Sequence, residues 1–182
     1  MQKKQIELRT LIILAMFAAI GAVFKAFVSV DLFFGGLKIS DISLMALPVM
    51  LAGIYFGPLA GGMVGLLAEM GGFLMTPTGT YNPIFSLIAA LTGVIAGVFY
   101  WKSKRTTLLK VVAMVALSEI LCSAVLTTLT IHLIYGAPFL ALIPARGIGV
   151  LIKIPVLTAM IVMLAERLRP VMQQQNKVPG TV

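Results

Sequence analysis

Five charged side chains interrupt the apolar runs of this sequence: Lys25, Glu69, Glu119, Arg146 and Lys153. A charge in hydrocarbon is costly, so such residues turn toward a bundle interior or a water-filled cavity, where they pair or meet a ligand. Glu69 stands in the Gly-rich run GPLAGGMVGLLAEMGGFLM, Gly57 to Met75. A polar, turn-forming stretch follows, Thr76 to Asn82, and Pro83 opens the next apolar run. Arg146 and Lys153 lie about two helical turns apart on one face. These types offer ion pairing and charge-assisted hydrogen bonds to a polar ligand.

Each residue has a structural alternative beside the ligand-binding one. Glu69 contacts a ligand, or pairs with Lys25 or Arg146. Arg146 contacts a ligand, or serves as an ion pair or carbonyl cap near a helix start. Glu119 and Lys153 are expected to pair with each other, because unpaired burial is expensive. Tyr81 and Asn82 can stack on and hydrogen-bond a flat ligand, or simply build their turn. His132 reads as a polar end group and Cys122 as plain core.

Catalytic and nucleotide-binding patterns are missing from the sequence. There is no Gly-rich loop ending in Lys-Ser or Lys-Thr, so the chain does not bind ATP in the P-loop manner. There is no His-Glu-x-x-His and no Cys/His cluster, so neither a metal nor a cofactor is expected. One histidine without a Gly-x-Ser-x-Gly elbow argues against a hydrolase triad. An enzyme is poorly supported, and active uptake would draw its energy from other chains.

The elements that must position these residues are membrane helices. The chain is 60% hydrophobic and 11% charged, with a mean hydropathy of +1.07. Soluble domains carry about 25% charged residues. Its 182 residues allow about six spans of roughly 20 residues. They are expected near 11–28, 42–55, 58–75, 83–101, 108–135 and 140–164. The fold class expected is all-α, one six-helix bundle over 1–168, with a polar, disordered tail over 169–182. The first span follows Lys3, Lys4 and Arg9 and is retained rather than cleaved as a signal. Pro48 is expected to kink span two. Gly53, Gly57, Gly61 and Gly65 recur every four residues, as do Gly93 and Gly97, which favours close helix contact.

Net charge is +8, which in a membrane protein reports topology rather than nucleic-acid binding. The basic residues cluster at the N-terminus, after Trp101 and at the C-terminus. The positive-inside rule makes that face cytoplasmic, with both termini inside. Loops 30–41, 76–83 and 135–140 are then outside. Counting inward, Lys25, Glu69, His132 and Arg146 fall in the outer half, and Glu119 and Lys153 nearer the midplane. A polar pocket is expected there, capped by the external loops.

Four stretches together resemble the S components of energy-coupling factor (ECF) vitamin transporters. They are the Ala15-x-x-x-Ala19 spacing after a basic start, LPVMLAGIYFGPLAGGMVGLLAEMGGFLMTPTG (Leu47–Gly79), PTGTYNPIFSLIAALTGVIAG (Pro77–Gly97) and LIPARGIGVLIKIPV (Leu142–Val156). The last two are most similar to the folate-type branch. The resemblance implies a six-helix subunit of a prokaryotic plasma membrane that captures a vitamin outside. It implies as partners a transmembrane coupling subunit and two cytoplasmic ATPases. Ala15 and Ala19 inherit the face toward the coupling subunit. The implied release step is toppling of the whole subunit in the membrane, with the external loops as lids.

The expected ligand is folate or a related pterin, held by Arg146, Glu69, Tyr81, Asn82, Lys25 and Lys153. Glu69 could accept two hydrogen bonds from a pterin's amidine-like edge, and Arg146 or Lys153 could meet an acidic tail. Two departures from the branch bear on the substrate: the acids Glu69 and Glu119, and Ile84 where the branch tends to have Gly. Pantothenate, pyridoxine, thiamine, riboflavin or hydroxymethylpyrimidine are the alternatives in the same role. A membrane scaffold subunit without a small ligand is the rival from another class.

Overall fold

The computed structural model of the chain describes residues 8–34, 37–77, 81–101, 107–136 and 139–175. In order, the chain forms α1 (Leu8–Phe27), a hairpin of β1 (Ser29–Phe34) and β2 (Leu37–Ser43), then α2 (Ala46–Phe56), α3 (Pro58–Met75) and α4 (Pro83–Trp101). Next come α5 (Leu108–Ser118), a π-helix (Glu119–Leu126) and α6 (Thr127–Tyr135), which run on without a break, and then α7 (Phe139–Gln175). Among the described residues, four helical stretches are long and apolar enough to cross a membrane: Leu8–Phe27, Pro58–Met75, Pro83–Trp101 and Leu108–Ile134. Two apolar helices are shorter, Ala46–Phe56 and Gly149–Leu164.

The bundle is helical as expected, but the first connection is not a plain loop. Residues 29–34 and 37–43 pair as antiparallel strands, from Ser29 opposite Ser43 to Phe34 opposite Leu37. Apolar and polar residues alternate from Leu37 to Ser40, and Gly35-Gly36 separates two strand-like runs. That is the pattern of a strand pair.

Helix α2 departs from the expected span two. It has 11 residues, or about 16 Å at 1.5 Å per residue, half of a bilayer core. Leu47 through Ile54 are all buried, so this helix is enclosed by protein on every side. Pro48 does not kink it, because it sits in the first turn, where a backbone N–H has no partner to lose. The far end of the chain differs too. Helix α7 continues to Gln175, seven residues into the stretch expected to be tail.

Glycine sets the packing of α2, α3 and α4. A Cβ on Gly65 would fall on the Ala89 carbonyl, and one on Gly93 on the Gly61 carbonyl. A Cβ on Gly53 would fall on the Gly93 carbonyl. These helices therefore touch backbone to backbone, as small residues allow. Gly57 acts differently: it turns α2 into α3 at φ 96°, with open space around it. Helix α1 is joined to α3 by small residues as well. A Cβ on Gly21 would come 2.8 Å from the Ala68 methyl, and one on Gly71 would come 3.0 Å from the Ala22 methyl.

The large apolar cluster gathers at one end, around Leu51, Ile54, Ala96, Tyr100, Val111, Val115, Leu157 and Ile161. These residues come from α2, the end of α4, α5 and the second half of apolar α7. Trp101 lies exposed at that same end. Lys110 on α5 covers this end, its ammonium 4.3 Å from the centroid of the Tyr100 ring.

Candidate functional site

The polar residues fall into three groups, each placed by a different pair of elements. The first lies between α1 and α3. Lys25 ends α1, and its ammonium meets Glu69 Oε1 as an ion pair. Gly72, one turn beyond Glu69, makes room for it. A Cβ there would lie 2.8 Å from the Lys25 Cβ, Cγ and Cδ. The Ser29 hydroxyl donates to the Lys25 carbonyl at 2.7 Å, tying the end of α1 to the start of β1.

The second group stands where α3 ends and α4 begins. Asn82 caps α4: its Oδ1 accepts the Ile84 N–H at 3.0 Å, and Pro83 fills the first helical position. The Tyr81 hydroxyl and the buried Ser86 hydroxyl are 2.6 Å apart. The Tyr81 ring lies 5.1 Å from that of Phe73, tilted by 53°. Phe73 stands one turn beyond Glu69 on α3, so it shares that residue's face. The first two groups therefore meet along α3.

The third group is built on the π-helix and α7. Widening to π geometry carries the Thr127 N–H back to the Cys122 carbonyl, and the Thr127 hydroxyl donates to the same oxygen at 2.8 Å. The next carbonyl, that of Ser123, accepts from Arg146 Nη1 at 2.9 Å. Glu119 opens the π-helix, and its Oε2 is 3.7 Å from Lys153 Nζ. Arg146, Lys153 and Glu119 are all buried. π-Helical turns are rare and often mark functional sites.

Of the expected site residues, Lys25 and Glu69 come together, as do Tyr81 and Asn82 on one turn. Arg146 and Lys153 share one wall with Glu119. The carbonyl partner of Arg146 is one of the alternatives the sequence allowed, and the Glu119–Lys153 pair is the one that burial cost required. His132 is exposed near the end of α6. Sequence reasoning missed Phe73, Ser86 and Gly72. Phe73 was detectable, being four residues from Glu69 and facing the same way. Nothing in the sequence marks the π-helix that brings the Ser123 carbonyl to Arg146. Among the described residues, no group of three or more metal-binding side chains forms.

Ala15 and Ala19 lie on the exposed side of α1, whereas Ala18, Gly21 and Ala22 are buried against the bundle. The helix therefore carries small residues on both an inner and an outer face.

Comparison with known proteins agrees with this architecture. The folate transporter FolT of Clostridium novyi (strain NT) is 27% identical over 150 residues, covering 82% of this chain and 84% of that protein. A solved structure of FolT bound with folic acid superposes with a TM-score of 0.76 at 28% identity, over 88% of this chain and 94% of that one. The S component of a bacterial ECF transporter superposes with a TM-score of 0.64 at 24% identity, over 89% and 96% of the two chains, a likeness of fold. The family described as "ECF transporter, substrate-specific component" matches residues 9–165. That match runs from the start of α1 through the apolar part of α7, and the chain therefore belongs to the substrate-specific components of ECF transporters.

Proposed function

We propose that this chain captures folate or a related pterin at the outer face of a prokaryotic cell membrane and delivers it through an energising module. The observation that carries this reading is the likeness to FolT bound with folic acid, over 88% of the chain. The site chemistry agrees with such a ligand. Glu69 supplies a carboxylate for the N–H edge of a pterin, and Phe73 and Tyr81 supply aromatic surface for a flat ring. Arg146 and Lys153 supply cationic groups for an acidic tail, and Asn82 supplies an amide beside Tyr81. Lys25 completes the site through Glu69.

In this reading the chain crosses the membrane six times, with both termini in the cytoplasm and the hairpin outside. Its partners are a transmembrane coupling subunit and two cytoplasmic ATPases, which supply the energy. The exposed Ala15 and Ala19 form the face on which the coupling subunit sits.

The test is mass spectrometry of small molecules that co-purify in mild detergent, followed by calorimetric titration with folic acid. A folate or pterin is expected at near-stoichiometric amount. Arg146→Ala and Glu69→Gln should each weaken folic acid binding while leaving assembly with the partner subunits intact. A charge-assisted hydrogen bond is worth ~1.5–3 kcal/mol, so the expected loss is roughly 10- to 150-fold. Another bound vitamin would overturn the folate assignment and keep the capture role. A protein that ignores a panel of vitamins, with both variants fully functional in the cell, would favour a scaffold subunit.

A further inference from the structure

Glu69 is engaged on one side. Lys25 meets Oε1, and among the described residues no group meets Oε2. The Glu69 side chain keeps 11% of its surface exposed. The lysine is fixed by packing as well as by charge. Its stem lies in the groove that Gly72 leaves on α3, 2.8 Å from where a Cβ would stand. The backbone at Lys25 is held in turn by Ser29. No other charged residue comes from the neighbouring helices, because α2 and α4 contain none. The hairpin after α1 contributes Asp31, Lys38 and Asp41 to the chain that follows. One turn beyond the carboxylate stands the Phe73–Tyr81 pair.

We propose that Lys25 is a positioning residue for substrate selection: it neutralises and orients Glu69 so that the open carboxylate edge reads two adjacent N–H groups on a flat heterocycle. The inference rests on the folate reading and assigns the two residues of the pair different tasks. A carboxylate has about four lone-pair sites. Oε1 can therefore hold Lys25 and still accept one ligand N–H, while Oε2 accepts its neighbour. The pterin ring of folic acid carries such a pair, the ring N–H and the adjacent amino group. A ring with acceptors at those positions would face oxygen lone pairs and be rejected. Lys25 balances the Glu69 charge, so a neutral ring enters without leaving an uncompensated carboxylate in a low-dielectric site.

The test titrates the purified full chain with folic acid and with 2-desamino-2-methylfolic acid, which lacks the amino group. The native chain should prefer folic acid at least tenfold. Lys25→Met keeps the stem on Gly72 and removes the charge. It should weaken folic acid binding and bring the ratio of the two affinities toward one, at a melting temperature that reports an intact fold. Gly72→Ala alters no charge but displaces the stem, and should lower the same ratio. Glu69→Gln should abolish it, and adding Lys25→Met to Glu69→Gln should cost no further selectivity. If Lys25→Met keeps the native ratio, even with a lower overall affinity, Lys25 does not position Glu69 and the proposal fails. A native chain that binds both compounds equally also overturns it, but leaves the folate reading standing. A native chain that binds neither overturns the folate reading itself.

Discussion

At the scale of residues, charge burial does most of the arranging. Breaking a buried ion pair from one side leaves its partner uncompensated, at a cost of ~3–5 kcal/mol. Lys153→Met should therefore lower the melting temperature in detergent markedly. Adding Glu119→Gln should restore much of the loss, because the stranded charge is then gone. This pair was legible in the sequence, since two opposite charges in apolar helices have few better options than each other. The Lys25–Glu69 pair was legible only as one of several outcomes. Helix rotation decides whether Glu69 points at Lys25 or Arg146, and rotation is not written in spacing alone. The partner of Arg146 was further out of reach, because a backbone carbonyl has no side-chain signature.

At the scale of elements, the four-residue glycine period was the most reliable guide. It indicated close contact, and Gly53, Gly61 and Gly65 do press against the α4 backbone. Gly57 belongs to the same period but works through its positive φ instead, so one pattern serves two physical ends. The contrast with Gly147, where a Cβ would meet nothing within 4 Å, gives a direct check. Gly93→Ala must push α3 and α4 apart, and overpacking costs ~1–3 kcal/mol or more. Gly147→Ala should be neutral or slightly stabilising, as alanine is the better helix former by about 1 kcal/mol. Thermal unfolding of the two variants in one detergent would compare them. The strand pairing is partly readable from the alternation over Leu37 to Ser40, although a plain loop between two spans fits the same stretch of sequence. The π-helix was not readable, because Glu119 to Leu126 is apolar almost all round and offers no period to be shifted.

At the scale of the whole molecule, composition settled the solvent, and charge asymmetry gives an orientation that cysteine labelling can test. In a Cys122→Ala background, Tyr81→Cys in intact cells should react with a membrane-impermeant maleimide, and Lys177→Cys should react only after lysis. The reverse pattern would invert the bundle. The count of crossings is less simple than six equal spans, since α2 is half a bilayer long and wholly enclosed. That enclosure bears on how cargo can move. At the Trp101 end, α2 and the apolar parts of α4, α5 and α7 pack into one hydrocarbon layer. In the proposed reading that layer blocks a passage through the bundle, so delivery calls for movement of the subunit itself.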